Sequence, residues 1–231
     1  MRDNWKIFKD SITLSECLAA DIMHVANESI DKNGKFTIVL AGGKSFIDSY
    51  KILRDARSNW LKWHIYISDE RCLPKNDRNR NDSKIYKVWL NNGKIPKKNI
   101  NFICAELGIN EAVKHYETIL KNKDVFDLVL LGMGEDGHTA SLFPNRTCSQ
   151  NDSVVAEYNS PKSPKERISL SYSRLNKSRN VFKLVIGSSK SKALISWING
   201  KDLPINRIYG KSEKVYICKN VLVENTQLKK K

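Results

Sequence analysis

Short apolar runs alternate along this chain with longer segments in which apolar residues recur every three or four positions. The short runs, bounded by glycine or polar residues, are typical of buried strands, whereas the wider spacing is typical of amphipathic helices. The run at residues 126–131 is the most strand-like of all. Strands are predicted at residues 36–41, 63–67, 100–104, 126–131, 153–158, 167–170, 181–186 and 215–218.

The helical pattern is clearest near the start of the chain, where apolar residues from Leu14 onward share one face. Thr13 together with Glu16 predicts a capping box at the beginning of this helix, and Gly34 predicts its end. Asn110 is predicted to cap a later helix. Further helices are predicted at residues 46–56, around 85–90, at 110–120 and from 188 to about 200.

Strands that alternate with amphipathic helices imply crossover connections. We therefore predict an α/β fold, with one doubly wound, mostly parallel sheet and helices on both of its faces. No internal repeat and no linker rich in Pro, Gly or Ser divides residues 1–231, which predicts a single domain. In such sheets the ligand lies at the carboxyl ends of the strands. That rule selects the loops at 42–45, 69–71 and 132–138 and the turn after Ile186.

The chain carries 40 lysines and arginines against 25 aspartates and glutamates in 231 residues, a formal charge of +15. Such a charge favours an anionic partner: nucleic acid, an acidic membrane surface or a phosphorylated metabolite. The cations are scattered apart from the tail at 229–231, and no basic stretch alternates with aromatic residues. Most of the charge is therefore interpreted as solvated surface, and neither nucleic acid nor membrane is expected as a partner. The oligomeric state stays open and is compatible with a monomer.

The cysteines are widely separated and include no C-x-x-C pair, which predicts neither a disulfide framework nor a zinc site. The first ten residues are polar and charged, without the apolar region of a signal peptide. The longest apolar runs have the length of strands rather than of membrane spans. These features predict a reducing compartment and a cytoplasmic location. The five cysteines are Cys17, Cys72, Cys104, Cys148 and Cys218.

The most informative stretch is LLGMGEDGHTASLFP, residues 130–144, in which three glycines fit the pattern G-x-G-x-x-G. A dinucleotide-binding loop would hold a pyrophosphate at a helix amino terminus. Here Glu135 and Asp136 would repel that group, and an early Phe-Pro pair would interrupt the helix. A catalytic loop is favoured instead, because the Asp136 carboxylate can fix the tautomer of His138 and make it usable as a general base. The three other histidines have no such surroundings.

Residues 131–144 resemble the signature of the 6-phosphogluconolactonases, which share a fold with the glucosamine-6-phosphate isomerases and deaminases. The resemblance extends from about residue 36 to about residue 218 and rests on several motifs in the same order. The further motifs are LAGGKS at 40–45, SDERCLP at 68–74, SPKSPKERISLS at 160–171 and GSSK at 187–190. Two positions depart from the family pattern. Phe46 replaces a common proline, which implies a less rigid phosphate loop, and Arg80 replaces a common serine, adding a cation without an assigned role.

The resemblance implies hydrolysis of 6-phospho-D-glucono-1,5-lactone to 6-phosphogluconate in the oxidative pentose phosphate pathway. That reaction needs a water nucleophile, a base and a donor for the developing oxyanion. His138 is expected to be the base, with Asp136 orienting it. Arg71 is expected to serve either the oxyanion or the phosphate, and Asp69 to hold Arg71 or a loop in place. The expected phosphate ligands are Gly42, Gly43, Lys44, Lys162, Arg167 and Lys190.

No cofactor is expected, and no metal, since His138 has no second histidine or cysteine at ligand spacing. Three alternatives stay open. A same-fold amino-sugar-phosphate isomerase or deaminase resembles enzymes with a glutamate soon after the histidine, whereas residues 139–145 contain no carboxylate. A serine hydrolase would use Ser141, which lies outside a G-x-S-x-G elbow. A basic nucleic-acid-binding module is suggested only by the net charge.

Overall fold

Seven strands of this chain form one parallel sheet. The computed structural model describes residues 3–147, 149 and 151–222. Cys148 and the basic tail at 229–231 lie outside this part. In chain order the strands are β1 (Trp5–Phe8), β2 (Phe36–Leu40), β3 (Trp63–Ile67), β4 (Asp69–Arg71), β5 (Ile100–Asn101), β6 (Phe126–Gly132), β7 (Val154–Glu157), β8 (Arg167–Leu170), β9 (Ser178–Val185) and β10 (Ser212–Cys218).

The large sheet has the spatial order β1-β10-β9-β6-β2-β3-β5, and every neighbouring pair in it is parallel. A small antiparallel sheet of β4, β8 and β7 stands beside it. All of β2 is buried, and β6 is buried up to its last residue, as expected for strands covered on both faces. The predicted α/β fold with a mostly parallel sheet is confirmed, and the small sheet is an addition to it.

The helices fill the crossover connections between strands. Short 3-10 turns at Lys44–Phe46 and Ser188–Lys190 lead into two of them. No helix in the described ranges is long and apolar enough to cross a membrane. The α-helices are α1 (Ser11–Asn33), α2 (Ile47–Asp55), α3 (Asn81–Val88), α4 (Ile109–Leu120), α5 (Tyr172–Asn176) and α6 (Ser191–Ile198).

The ends of two helices differ from the predictions. The N-cap of α1 is Asp10, whose carboxylate accepts the backbone N–H of Thr13 at 2.8 Å, so the predicted capping box is wrong. The cap lies three residues earlier because Asp10 supplies the acceptor. Gly34 ends α1 in the left-handed region (φ 70°), as predicted. Gly108 stands at the N-cap of α4, so the prediction of Asn110 as its cap is also wrong.

Two strands have no clear signal in the local sequence. Residues 5–8, inside the polar start of the chain, form β1 because they pair with β10. Residues 69–71 were predicted to be a loop and instead form β4, which pairs antiparallel with β8 nearly a hundred residues later. In both cases the strand exists because a distant partner supplies its hydrogen bonds. The predicted strand at 100–104 is reduced to Ile100–Asn101.

A buried aromatic pair anchors the turn between β2 and α2. The rings of Phe46 and Tyr50 stack with centroids 5.8 Å apart, and both side chains are buried. The Tyr50 hydroxyl accepts the backbone N–H of Ala41 at 3.2 Å and donates to the carbonyl of Ala41 at 2.8 Å. This contact satisfies both backbone groups at the point where β2 ends. Phe46, expected to loosen the loop, thus gives it an anchor in the core.

We predict that Tyr50→Phe lowers the free energy of unfolding by about 1–3 kcal/mol, because the buried N–H and carbonyl of Ala41 lose their partner. Urea denaturation followed by circular dichroism measures the change. Tyr86→Phe is the matched control, since Tyr86 is 43% exposed and its hydroxyl can remain hydrated. Equal stability of the two variants would remove the proposed role of the Tyr50 hydroxyl.

Candidate active site

A cavity of about 340 Å³ opens at the carboxyl ends of β2, β6 and β9. The structure brings together around it all but one of the residues expected from the sequence to bind or convert the lactone. The exception is Asp136, which does not line the cavity and instead contacts His138. The singled-out residues in the lining are Gly42, Gly43, Lys44, Asp69, Arg71, His138, Lys162, Arg167 and Lys190.

A larger cavity of about 680 Å³ lies beside this one and is bordered by α4, β7 and residues 141–147. Its lining contains none of the residues expected to act on the lactone, although it includes Ser141 of the serine-hydrolase alternative. Its cations already have partners: Lys114 pairs with Glu111 at 2.8 Å, and Arg146 donates to the carbonyl of Asn159 at 2.9 Å. The smaller cavity, in contrast, brings a histidine together with five basic side chains, a combination suited to a catalytic site for an anionic substrate.

His138 and Asp136 form a short-range dyad at the end of β6. The Asp136 carboxylate contacts Nδ1 of the imidazole and also accepts the backbone N–H of His138 at 3.2 Å. The imidazole is partly buried and packs against the Phe143 ring, with centroids 4.7 Å apart. A carboxylate on Nδ1 fixes the proton there and leaves Nε2 as an acceptor. The dyad is therefore suited to general-base chemistry at Nε2.

Two glycines of this loop, Gly134 and Gly137, have structural reasons that involve no dinucleotide. A Cβ on Gly134 would overlap the His138 ring, so only glycine allows the ring to lie there. Gly137 adopts φ +84°, and a Cβ on it would also lie 2.8 Å from the Leu203 side chain. In the described residues that follow, the loop leads into turns and then β7, not into a long helix. These observations favour the catalytic interpretation over the dinucleotide fingerprint.

The first glycine loop joins β2 to the turn that begins α2. A Cβ on Gly42 would overlap the Asn81 side chain, so the loop can approach α3 only with glycine at this position. Gly43 is exposed, and a Cβ on it would contact nothing within 4 Å. Gly43 and Lys44 therefore face open space at a helix start, where backbone N–H groups attract anions.

Arg71 extends from β4 into the cavity. Its Nη1 donates to the backbone carbonyl of Asn79, and its buried Nε has no hydrogen-bond partner in the described part of the chain. Arg167 stands opposite Arg71 in the antiparallel pairing of β4 with β8. Because two guanidinium groups lie on adjacent strands, this side of the cavity is strongly positive.

Asp69 holds a loop rather than Arg71. Its carboxylate accepts hydrogen bonds from the hydroxyls of Ser68 at 3.0 Å and Ser141 at 2.7 Å. Asp69 therefore joins β4 to the segment that follows His138. Ser141 is 2% exposed, and its hydroxyl donates a hydrogen bond to Asp69. A buried hydroxyl in such a structural hydrogen bond is not placed to attack a substrate. The geometry thus speaks against the serine-hydrolase alternative.

The remaining cations differ in how free they are to bind a ligand. Arg167 is buried, and it donates to the carbonyls of Lys162, Ser163 and Pro164, which fixes the segment before β8. Lys162 itself pairs with Glu135 across the cavity at 3.3 Å. Lys190 lies 3.5 Å from the hydroxyl of Ser45 at the glycine loop.

Burial lowers the pKa of Lys190, with the Glu135 carboxylate acting in the opposite direction. Its ammonium group is therefore less hydrated than one at the surface, and an anion would be attracted to it more strongly. Of the singled-out lysines, Lys190 has the environment best suited to a phosphate.

The sequence did not reveal a group of residues that lies behind the cavity. Glu70 is fully buried and accepts the backbone N–H groups of Arg71, Asn81 and Asp82, each at 2.8 Å. The Asn81 side chain donates to the carbonyl of Asp69 at 2.9 Å. Burial and the Asp82 carboxylate raise the pKa of Glu70, whereas the three N–H donors favour its ionised form. Only the adjacency of Glu70 to Arg71 was visible in the sequence.

Within the described ranges no group of three or more histidine, cysteine or acidic residues is arranged to hold a metal ion. The chemistry that the cavity can perform with its own side chains is proton transfer at His138 and binding of an anion by clustered cations. Together these functions suit a phosphorylated substrate with an electrophilic carbon.

Comparison with known proteins gives a consistent result. Residues 9–217 match the model of the family described as glucosamine-6-phosphate isomerases/6-phosphogluconolactonase. The chain is 36% identical over 205 residues to the chloroplastic 6-phosphogluconolactonase 3 of Arabidopsis thaliana, covering 78% of this chain and 63% of that protein. It is 33% identical over 190 residues to the 6-phosphogluconolactonase of Thermotoga maritima, covering 81% of this chain and 86% of the relative.

The fold agrees with that comparison. A crystal structure of 6-phosphogluconolactonase from Thermotoga maritima superimposes with a TM-score of 0.86 and 30% identity, covering 93% of this chain and 98% of the other.

The contact between His138 and Asp136 allows a prediction about the pKa of Asp136. Burial by itself would raise the pKa of Asp136, but the hydrogen bonds and charge of His138 lower it from 3.8 to about 2. The stability that this carboxylate contributes is therefore complete above its unfolded pKa and is lost as the pH falls through about 2. We expect carbon-detected NMR to give an Asp136 midpoint near that value, and His138→Ala to raise it. An unchanged midpoint in the variant would refute the pairing.

Proposed function

This chain belongs to the glucosamine-6-phosphate isomerase/6-phosphogluconolactonase family, and from that premise we propose that it hydrolyses 6-phospho-D-glucono-1,5-lactone to 6-phosphogluconate. The single observation that carries the proposal is that His138, with its Asp136 partner, and the glycine loop at 42–44 border one cavity. A sugar phosphate needs both: a base at its reacting carbon and an anion-binding loop at its other end. The names of the relatives support the same reaction.

The dyad would supply the base. A water held by Nε2 of His138 attacks the lactone carbonyl carbon while the imidazole takes its proton. Asp136 keeps the proton on Nδ1 and stabilises the imidazolium that forms. The tetrahedral intermediate then collapses, the bond to the ring oxygen breaks, and the imidazolium returns the proton to that oxygen. His138 thus both takes the proton and returns it, and the reaction needs no cofactor.

The cations would bind the two negative charges of the reaction. The glycine loop with Lys44 and Lys190 is assigned to the phosphate, because Lys190 contacts Ser45 in that loop. Arg71 is assigned to the developing oxyanion, because it lines the cavity and the Asn79 carbonyl holds its guanidinium on one side. Arg167 and Lys162 mainly shape the wall of the cavity and add positive potential there.

Residues 1–231 are proposed to act as one domain, with the phosphorylated lactone as the small-molecule partner. The Arabidopsis relative is named as chloroplastic. A cytoplasmic location for this chain rests on the sequence features alone and stays a prediction. The pathway assigned to the reaction is the oxidative pentose phosphate pathway.

We predict that the purified protein accelerates 6-phosphogluconolactone hydrolysis above its spontaneous rate, and that His138→Ala lowers kcat by about 10²–10⁴-fold, as loss of a general base does. Release of 6-phosphogluconate, coupled to its dehydrogenase, measures the rate after subtraction of the background. His115→Ala, which removes an exposed histidine on α4, is the matched control. Turnover of glucosamine-6-phosphate by the wild type, without lactonase activity, would instead support the deaminase.

A second prediction concerns Lys190. Lys190→Ala should raise KM by about 10–100-fold with a smaller effect on kcat, as expected for loss of a charged hydrogen bond to the phosphate. Exposed Lys192, two residues away on α6, supplies the control variant Lys192→Ala. Because burial lowers the pKa of Lys190, 6-phosphogluconate affinity should be complete at neutral pH and decline with rising pH earlier than for an ordinary lysine. Calorimetric titration checks this, and an unchanged KM in Lys190→Ala would place Lys190 outside the phosphate site.

A further inference from the structure

Arg80 is a buried cation that the proposed reaction does not use. Its side chain is 1% exposed, although the two residues before it, Arg78 and Asn79, are exposed. A guanidinium group is kept so far from water only when its donors are satisfied and its charge is balanced. The contacts of Arg80 therefore indicate what this side chain holds together.

Every donor of the Arg80 guanidinium is used. Nε and Nη2 donate to the two carboxylate oxygens of Asp82 at 3.0 and 2.6 Å. Nη1 donates to the Glu106 carboxylate at 2.7 Å and to the carbonyl of Leu73 at 3.2 Å, and Nη2 also donates to the carbonyl of Ile103 at 3.1 Å. The group thus joins the start of α3 to the segments at 73 and 103–106. A lysine has the charge but not the planar fork that these five contacts require.

The segment that Arg80 fixes is the one that holds Arg71. The residue before it, Asn79, provides the carbonyl that accepts Nη1 of Arg71. The residues after it, Asn81 and Asp82, donate their backbone N–H groups to the Glu70 carboxylate, which also accepts the N–H of Arg71. The side chain of Arg71 is therefore held directly by the residue before Arg80, and its backbone N–H is linked to the two residues after Arg80 through the shared Glu70 carboxylate.

We propose that Arg80 is a positioning residue for Arg71: by clamping residues 79–82 to the body of the protein, it sets the direction of the Arg71 guanidinium in the cavity. This inference rests on the proposed function for its kinetic consequence, but not for the geometry. Arg80 does not itself line the cavity, and it acts through Asn79 and Glu70. Its contribution should therefore disappear when Arg71 is changed.

A double-mutant cycle tests this dependence. The variants are Arg80→Lys, Arg71→Lys and the two combined, all of which keep the positive charge. We expect Arg80→Lys to lower kcat/KM by about tenfold in the wild-type background and by less than about twofold in the Arg71→Lys background, as coupled residues do. Arg174→Lys is the matched control, since Arg174 is also a buried arginine and lies outside the cavity. It should change kcat/KM by less than about twofold in either background.

A loss of activity caused by unfolding must be distinguished from one caused by a misplaced Arg71 guanidinium. Circular dichroism at the assay temperature establishes that each variant is folded before its kinetics are compared. If Arg80→Lys lowers kcat/KM by the same factor in both Arg71 backgrounds, Arg80 acts on the fold and not on Arg71, and the proposal is wrong. Guanidinium ion added to Arg80→Ala should restore part of the lost kcat/KM when residue 71 is arginine. It should restore none when Arg71→Lys is also present.

An NMR measurement keeps the proposal testable without lactonase activity. The Nε–Hε resonance of Arg71, assigned by its loss in Arg71→Lys, reports the environment of that guanidinium directly. We expect Arg80→Lys to shift or broaden it and Arg174→Lys to leave it unchanged. An inactive wild type would refute the proposed function, whereas an unmoved Arg71 resonance in Arg80→Lys would refute the positioning role.

Discussion

The parallel alignment of β2, β6 and β9 is the constraint on which the site depends. Because these neighbouring strands run in one direction, their carboxyl ends meet at one edge and carry three loops to the same cavity. The glycine loop after β2 approaches α3, the His138 loop follows β6, and Lys190 comes after β9. An antiparallel neighbour would send one of these loops to the opposite edge. The small sheet adds Arg71 and Arg167 to the same edge from the side.

Charge is distributed differently in front of the cavity and behind it. In front, Arg71, Arg167 and Lys190 outnumber the carboxylates that face them, which leaves positive potential for an anionic substrate. Behind, the Arg80 guanidinium is surrounded by Glu70, Asp82 and Glu106, within 3.9 Å of the farthest of these. The excess positive charge in front is suited to binding, because an anionic ligand would balance it. The charges behind balance one another without a ligand, and this arrangement is suited to holding the loops in place.

Steric exclusion decides between interpretations that the sequence leaves open. Three glycines in G-x-G-x-x-G spacing fit a dinucleotide loop as well as they fit a catalytic one. Gly134 is required because the His138 ring occupies the space of its Cβ, and Gly42 is required because Asn81 does so. The carboxylate of Asp136 contacts the imidazole and is not directed toward a phosphate. These contacts, which no spacing pattern contains, explain why Gly134 and Gly42 cannot carry a side chain.

The sequence by itself determined the α/β class, the order of most strands and helices, and the loops that carry chemistry. It could do so because apolar periodicity and glycine position are local signals. Asp136 and His138 were found because they are two residues apart. The tertiary structure alone decided that residues 69–71 form a strand, that Asp69 holds Ser141, and that Arg80 is clamped by Asp82 and Glu106. Those features depend on partners that are distant along the chain or brought together by the fold, and a hydrogen bond between such partners leaves no periodicity in either segment.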